Sequence, residues 1–333
     1  MWPGVRPAMA GASSKSNQLP LTFPHHRRGA ARRVLQLRRR RAGGRVAQTR
    51  ATAARLRRAA DGGLLAAMTD RSAPKAPAAE AAGEPPRYNV TGVGVSALSL
   101  RSATDLIVGV KGRLRRGYVC LATAHGLTEA RRDAALRRIY NESWLTTPDG
   151  MPLVWLGPPG TGRVYGPDLM LAVCGEGRAT GLRHFFCGGN PGVAEELREN
   201  LIARFPGLDV AGTHCPPFRP FTPEERLALQ AEVARTRPDV LWVGVSSPKQ
   251  ERFMADWWRE FDAGVLVGVG AAFDFLSGRV RQAPRWIQRS GFEWLFRACS
   301  EPRRLGPRYL RTTPLFALRV AAQRLGLRRY PLE

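Results

Sequence analysis

Two features in the middle of the chain are suited to binding a phosphorylated ligand. Arg163 is the first, because a planar guanidinium group can contact phosphate or carboxylate through two parallel hydrogen bonds. The second is the run Gly-Gly-Asn-Pro-Gly at 188–192, where glycines let the backbone approach a ligand and the following helix begins with free N–H groups. A tight turn between a strand and a helix has the same composition, so the glycines alone leave a structural role open.

Carboxylate and amide side chains follow other predicted strands. Asp149 stands in Thr-Pro-Asp-Gly at 147–150, a sequence equally typical of a simple turn. Lys249 and Gln250 open a predicted helix and are candidates for contact with a ligand. Asp274 lies between two phenylalanines just after an apolar run, either as a ligand-binding group or as a buried structural carboxylate. These positions form a site only if the fold brings them to one edge.

Apolar runs and helical patterns alternate along the chain from about residue 88 onward. The apolar runs predict strands at 118–123, 183–187, 208–212, 240–245 and 265–269, after a shorter β-type run at 88–95. The helical patterns fall at 102–115, 126–139, 167–176, 193–205, 223–236 and 249–260. This alternation favours a Rossmann-like α/β fold, a mostly parallel sheet with helices on both faces. Ligands of such sheets bind beyond the carboxyl ends of the strands, where the candidate residues fall.

The net charge of +25 is concentrated at the two ends of the chain. Residues 1–87 contain 18 basic and 4 acidic side chains, residues 279–333 contain 13 and 3, and residues 88–278 contain 21 and 20. A nucleic-acid-binding domain usually carries its basic surface on the folded core, whereas this core is almost neutral. The distribution therefore disfavours nucleic acid as a partner.

The composition predicts three segments: a disordered basic leader at 1–87, an α/β core at 88–280 and a basic, aromatic helical appendage at 281–333. The leader has low complexity and cannot bury enough apolar surface to offset its ordering entropy. A transit peptide, a polybasic arm and a solvated tail all fit its composition. Residues 1–67 could also precede the native start, because Met68 opens a short Pro/Ala-rich leader.

The five cysteines are odd in number, widely spaced and never in a Cys-x-x-Cys pair. This pattern indicates neither a disulfide framework nor a zinc ribbon, and it favours a reducing cytoplasm. The longest strongly apolar stretch covers only 264–273, whereas a helix that spans a membrane needs about 20 residues. We therefore expect no transmembrane anchor.

The order of the motifs is more specific than any one of them. Along the chain stand Thr-Pro-Asp-Gly (147–150), Arg-Val-x-Gly-x-Asp-Leu (163–169), Gly-Gly-x-x-Gly (188–192), Pro-Lys-Gln-Glu (248–251), Ala-Phe-Asp-Phe-x-x-Gly (272–278), Ala-Pro-Arg-Trp (283–286), Glu-Trp-Leu-Phe-Arg (293–297) and Glu-Pro-Arg-Arg (301–304). In this order they resemble the WecG/TagA/CpsF glycosyltransferases, from about residue 88 to 309. Members of that family transfer a sugar from a UDP-sugar to an undecaprenyl-diphosphate-linked sugar, with inversion and without an obligatory metal.

The resemblance implies roles for residues at the first two strands. Asp149 becomes the candidate general base for the acceptor hydroxyl, and one base suffices for an inverting displacement. Thr123 matches the first position of the family's Thr-x-Asn and would orient substrate. His125 replaces the family's asparagine; it can donate a hydrogen bond as asparagine does, but it can also titrate.

The resemblance also implies a donor site that needs no metal. Arg163 would stabilise the charge that develops on the departing UDP diphosphate, a task that otherwise falls to a divalent ion. The sequence has no Asp-x-Asp motif, which agrees with metal independence. Gln250 and Asp274 match polar positions of the family's active site, and Gly188 and Gly189 lie where the nucleotide sugar is expected to approach the backbone.

The resemblance also implies that the appendage contacts the membrane. Arginines recur among aromatic and aliphatic residues there, a pattern suited to the interface of an anionic bilayer. Arg303, Arg304, Arg308 and Arg311 are the candidates for reaching the lipid-linked diphosphate, and a solvated surface helix is the alternative. The resemblance implies a cytoplasmic protein attached peripherally to the inner face of the bacterial plasma membrane, and a homo-oligomer is a further expectation.

Two other functions remain open on the residues alone. A nucleotide-cofactor oxidoreductase would fit the fold, but the glycine spacing is GGxxG and lacks the GxGxxG of a dinucleotide-binding turn. A non-catalytic basic protein that binds lipid or nucleic acid would fit the charge, but neither the neutral core nor the ordered motifs favour it.

Overall fold

A six-stranded parallel sheet forms the centre of the protein in a computed structural model that describes residues 84–111 and 117–332. The side chain of Arg304 is not described, and the predicted leader lies outside the described residues up to position 83. The strands are β1 (Arg87–Val90), β2 (Val93–Ser96), β3 (Tyr118–Ala122), β4 (Leu145–Pro148), β5 (Arg183–Gly188), β6 (Asp209–His214), β7 (Val240–Gly244) and β8 (Val265–Gly268). The large sheet has the order β4-β3-β8-β7-β5-β6, and all its pairs are parallel.

Helices cover both faces of this sheet. They are α1 (Leu100–Val108), α2 (Ala124–Ala130), α3 (Ala134–Glu142), α4 (Met151–Leu156), α5 (Gly166–Gly177), α6 (Val193–Arg204), α7 (Pro223–Thr236), α8 (Lys249–Trp257), α9 (Ala272–Leu276), α10 (Arg285–Ser290), α11 (Glu293–Ser300) and α12 (Pro302–Arg324). The predicted Rossmann-like α/β class is confirmed, and helices follow at the C-terminal end as expected.

The continuous apolar strands arise because both faces of the sheet are buried. Side chains alternate along each strand, so Phe185 and Leu241 belong to one hydrophobic cluster while Phe186 and Trp242 belong to the other. All four are fully buried. A strand with one solvated face would alternate apolar and polar residues, and these do not.

Three local predictions differ from the structure in detail. The β-type run at 88–95 forms the antiparallel hairpin β1–β2, in which Thr91 and Gly92 turn the chain with positive φ angles. The single helix predicted at 126–139 is two helices, because the Asp133 side chain accepts a hydrogen bond from the Leu136 amide at 3.0 Å and caps a new start. In Thr-Pro-Asp-Gly, the first two residues end strand β4, so this sequence is the end of a strand as well as a turn.

The C-terminal helix α12 packs back onto the start of the folded chain. Gln323 accepts a hydrogen bond from the Thr91 amide at 2.8 Å and donates one to the Asn89 carbonyl at 3.1 Å. Arg319 donates to the carbonyl of Thr128 at the end of α2. Phe316 is buried in the same hydrophobic cluster as the hairpin valines. No helix in the described ranges is long and apolar enough to cross a membrane.

The chain order leaves a division at the carboxyl edge of the sheet. Strands β3 and β4 form one end, and the chain then crosses to β5 and β6 before β7 and β8 fill the centre. Loops from the two ends therefore leave in different directions, which opens a crevice at this edge.

Gly188 occupies a position where the backbone of two strands is in close contact. It has φ +153 and pairs with Gly244 on β7, and a Cβ atom on it would lie 2.5 Å from the Cα atom of Gly244. Because neither strand can move alone in a packed sheet, we expect Gly188→Ala to lower the free energy of unfolding by about 2–4 kcal/mol. Urea unfolding measures this change.

Gly306→Ala is the matched control, since a Cβ there would meet no atom within 4 Å outside its two chain neighbours and the residue lies in α12. We expect it to change stability by less than about 1 kcal/mol, because the better helix propensity of alanine offsets the contact of its Cβ with the Pro307 ring. Equal stability of Gly188→Ala and the wild type would contradict the close contact.

Candidate active site

A cavity of about 540 Å³ opens at the carboxyl ends of β3 and β4. The loops after both strands and helix α4 of the core line one part of the cavity. Helices α10, α11 and α12 of the C-terminal part line the rest. The lining residues include Thr123, His125, Asp149, Trp155, Arg163, Gln288, Glu293, Arg297, Arg308 and Phe316. The cavity therefore joins residues from both ends of the folded sequence.

Asp149 lies at the floor of this cavity, immediately after β4. Its amide donates to the carbonyl of Ala122 at 3.0 Å, and the Val164 amide donates to the carbonyl of Pro148 at 2.8 Å. The end of β4 is thus fixed on both sides. One carboxylate oxygen, Oδ1, is buried without a hydrogen-bond partner among the described residues, although the side chain as a whole keeps 20% of its surface exposed.

The surroundings of Asp149 make its carboxylate a stronger base than usual. Burial raises its pKa to about 7, Arg163 opposes this shift, and the negative charge of Glu293 adds to it. Arg297 lowers this pKa and Asp168 raises it, each with a smaller effect. A carboxylate with a pKa near neutrality can accept a proton from a hydroxyl group more readily than an ordinary aspartate.

Arg163 joins the core to the C-terminal helices. Its Nε donates to the Asp149 carbonyl at 2.5 Å, its Nη1 to the Gln288 carbonyl at 3.1 Å, and its Nη2 to a carboxylate oxygen of Glu293 at 2.5 Å. The guanidinium carbon lies 4.1 Å from the ring centre of Tyr165. The same Nη2 is 3.7 Å from the carboxylate of Asp149. Arg163 is therefore held by protein groups on several sides.

Thr123 and His125 both line the cavity, beside β3. The Thr123 hydroxyl accepts a hydrogen bond from the Gly126 amide at 3.1 Å and so caps α2, which gives it a structural task as well. Burial lowers the pKa of His125 to about 4, with a further contribution from the charge of Arg308. His125 is consequently neutral at physiological pH, and its buried Nδ1 has no hydrogen-bond partner among the described residues.

A second cavity of about 440 Å³ lies at the carboxyl ends of β5 and β7. Gly189, Asn190, Lys249 and Asp274 line it together with the proline-rich loop 216–221. This loop was not predicted as part of the site, although three prolines and two phenylalanines in six residues distinguish it in the sequence.

Two predicted donor-site residues do not line either cavity. Gly188 instead contacts Gly244 in the sheet. Gln250 is 4% exposed, and its side-chain amide donates to Glu251 at 3.2 Å. Both residues are thus in contact with neighbours inside the core.

A protein-family model matches most of the folded chain. The family model for the WecG/TagA/CpsF glycosyl transferases matches residues 88–330. The chain belongs to this family. The match confirms the resemblance inferred from the motif order, and it extends past residue 309 through the whole of α12.

Membership in the WecG/TagA/CpsF family makes glycosyl transfer the activity of the protein. It decides against the two alternatives left open by the sequence, an oxidoreductase and a non-catalytic basic protein. The family acts in the synthesis of cell-surface polysaccharide. Within the described ranges, no three His, Cys, Asp or Glu side chains are grouped closely enough to hold a metal ion.

The arginines of this glycosyltransferase's appendage have different positions. Arg308 lines the first cavity, whereas Arg303 and Arg311 are exposed and do not line it. The Arg304 side chain lies outside what the structure describes. Arg297 also lines the cavity. It was not predicted as a site residue, although it ends the Glu-Trp-Leu-Phe-Arg motif, because the sequence does not say which face of that helix meets the core.

The raised pKa of Asp149 predicts a pH-dependent cost to folding. Well below pH 4 the carboxyl is protonated in both states, so the group costs nothing. As the pH rises from about 4 to 7, the unfolded state ionises while the folded state keeps its proton, and stability falls. We expect Asp149→Asn to remove this loss. Its gain in unfolding free energy over the wild type should be roughly 2 kcal/mol larger at pH 8 than at pH 4, a value reduced for partial exposure.

Urea unfolding of both proteins across this pH range measures the difference. A difference in stability that stays constant with pH would mean that Asp149 ionises as an ordinary exposed aspartate. The comparison needs no substrate, and it is therefore independent of any role in catalysis.

Proposed function

We propose that the protein transfers a sugar from a UDP-sugar to an undecaprenyl-diphosphate-linked sugar, with inversion, during synthesis of a cell-surface polysaccharide. The observation that carries the proposal is the position of Asp149: a mostly buried carboxylate of raised pKa that lines a cavity together with arginines and apolar side chains. Such a cavity combines a base, positive charge for phosphates and a wall for a lipid.

Asp149 acts as the general base in this proposal. The acceptor hydroxyl oxygen forms a bond to the anomeric carbon of the donor while the bond from that carbon to the diphosphate breaks. The hydroxyl proton passes to the carboxylate of Asp149, and UDP departs with the bonding electrons from the opposite face. Thr123 and His125, which line the same cavity, would orient the acceptor by hydrogen bonds.

The second cavity is the proposed site of the donor nucleotide. The loop after β5 offers the backbone of Gly189, with Asn190 and Lys249 beside it and Asp274 opposite. Phe218 is 75% exposed at the cavity wall, where an aromatic ring can stack on a base. Strands β4 and β5 are four strand spacings apart, about 19 Å, which is close to the reach of an extended nucleotide sugar.

Arginines are the proposed source of positive charge for the diphosphates, without a metal. Arg163, Arg297 and Arg308 line the first cavity and come from both the core and the C-terminal helices. Fixed cations aimed at developing charge lower the barrier in the same way as a divalent ion. In the proposal Arg163 serves the leaving UDP, and Arg308 the diphosphate of the acceptor.

The apolar side of the first cavity supports a lipid-linked acceptor. Met151, Trp155 and Leu156 of α4 line it opposite Phe316 and Val320 of α12. An isoprenoid chain needs a surface of this kind beside its charged end. A water-soluble acceptor sugar would need polar partners there instead.

The appendage is the proposed membrane contact, and the protein is proposed to work at the cytoplasmic face of the plasma membrane. Trp286 is 72% exposed, Phe292 58% and Leu310 74%, and exposed arginines such as Arg303 and Arg311 stand among them. Exposed aromatic and aliphatic side chains insert into the bilayer interface, and arginines pair with anionic lipids. Assembly into a homo-oligomer remains part of the proposal.

Removal of the base is the first test of this function. We expect Asp149→Asn to reduce UDP release by roughly 10²- to 10⁴-fold, because the acceptor hydroxyl loses its proton acceptor. The assay supplies a panel of UDP-sugars with a synthetic short-chain lipid-diphosphate sugar. Donor affinity, measured by calorimetry with UDP, is expected to stay unchanged.

Asp209→Asn is the control, since this carboxylate is 49% exposed at the start of β6 and lines neither cavity. Full activity of Asp149→Asn would remove Asp149 as the base. UDP release without any lipid-linked acceptor would contradict transfer to such an acceptor.

Membrane contact is tested by flotation with anionic vesicles. We expect the double variant Trp286→Ala/Phe292→Ala to bind at least about tenfold more weakly, because two inserted aromatic side chains are lost. Higher salt should weaken binding of the wild type. Leu227→Ala, at a 65% exposed position on α7, is the matched control; an equal loss in that variant would contradict a specific membrane-binding face.

A further inference from the structure

Two ion pairs of opposite polarity connect the C-terminal helices to the core. In one, the core supplies Arg163 and the start of α11 supplies Glu293, 2.5 Å apart. In the other, Asp168 on α5 accepts from Arg285 on α10 at 2.8 and 2.9 Å. Their reversed polarity fixes which helix meets which part of the core.

The two pairs differ in burial. Arg163 and Glu293 have side-chain exposures of only 17% and 14%, whereas Arg285 is 62% exposed. An exposed pair contributes little, but removal of one partner from a mostly buried pair leaves an uncompensated charge. The position of the Arg163 guanidinium therefore depends on Glu293 as well as on the carbonyls of Asp149 and Gln288.

The same guanidinium is close to the candidate base. Its Nη2 is 2.5 Å from the carboxylate of Glu293 and 3.7 Å from that of Asp149. Without the negative charge of Glu293, the carboxylate of Asp149 would be the nearest opposite charge within the described structure. Arg163 would then move onto the Asp149 carboxylate and compete with the proton that this group must accept.

We propose that Glu293 is a positioning residue: it holds the Arg163 guanidinium away from the carboxylate of Asp149, so that the core site is complete only when α11 is docked. The proposal rests on the proposed role of Asp149 as general base. It gives the appendage a second role in the chemistry, which the carboxylate of Glu293 performs and its arginines do not.

A consequence for pH dependence follows from the charges that face Asp149. These are Arg163 from the segment before α5, Glu293 and Arg297 from α11, and Asp168 from α5. Glu293 raises the pKa of Asp149, and Arg163 lowers it. Loss of the Glu293 charge and closer approach of Arg163 both act in the same direction, toward a lower pKa.

The experiment compares single-turnover rates across pH for the wild type, Glu293→Gln and Arg285→Gln. The wild-type rate should rise through a midpoint near pH 7. In Glu293→Gln we expect this midpoint to fall by about one pH unit and the plateau rate to fall about tenfold. Arg285→Gln removes the other pair together with a 3.3 Å hydrogen bond to the Gln288 side chain, and it should change the midpoint and the plateau far less than Glu293→Gln does. Equal losses in both variants would mean that Glu293 only docks the appendage.

A double-mutant cycle at the plateau pH tests whether Glu293 acts through Arg163. The variant Arg163→Gln/Glu293→Gln should be no slower than Arg163→Gln alone, because there is no guanidinium left to position. Losses that multiply would overturn the proposal. Glu293→Asp keeps the charge but withdraws it by one methylene, and its midpoint and plateau should lie between those of the wild type and Glu293→Gln.

Glu293→Asp also serves if Glu293→Gln does not fold, since an Asp variant identical to the wild type would then count against the proposal.

A ¹³C NMR titration of the Asp149 carboxyl, assigned with Asp149→Asn, separates this proposal from the proposed function. A lower carboxyl pKa in the Glu293 variant with no change in the rate profile would retain the positioning role and remove Asp149 as the base. An unchanged carboxyl pKa would overturn the positioning role.

Discussion

The buried charge cluster of Asp149, Arg163 and Glu293 is the constraint on which the site depends. Two carboxylates share one guanidinium in surroundings that exclude most water. Removal of Arg163 would leave two carboxylates without compensation, whereas removal of either carboxylate leaves the guanidinium paired with the other one. Because Glu293 comes from α11 and the other two from the core, the cluster requires the C-terminal helices to be in place. The charge cluster and the packing of the appendage are therefore linked by electrostatics.

The parallel sheet determines where this cluster can form. Parallel strands end at one edge, and the crossing from β4 to β5 divides that edge into two cavities. One holds the buried carboxylate beside apolar and cationic side chains, and the other has glycine backbone and a proline-rich aromatic loop. The tight contact of Gly188 with Gly244 keeps the neighbouring strands β5 and β7 close together. A long bipartite substrate fits this division better than a compact one.

The appendage has one side packed on the core and another side exposed. Its inner side contributes Phe316, Arg308 and Glu293 to packing and to the cavity, while Trp286 and Leu310 remain exposed. The net positive charge of this segment was visible in the composition. Its one carboxylate at the cavity was not distinguishable from other surface glutamates until its partner Arg163, 130 residues away, was known.

Local patterns in the sequence were sufficient for the α/β class, for most element positions and for the family, because burial on both faces imposes continuous apolar strands and because motif order is a linear property. They also identified Asp149, Thr123 and Arg163, which all line one cavity. They could not decide that Gln250 is buried or that Gly188 is held by Gly244, since both arise only in the packed fold. The pairing of Glu293 with Arg163, and with it the raised pKa of Asp149, was decided by tertiary structure alone, because burial and charge separation exist only after the helices have packed.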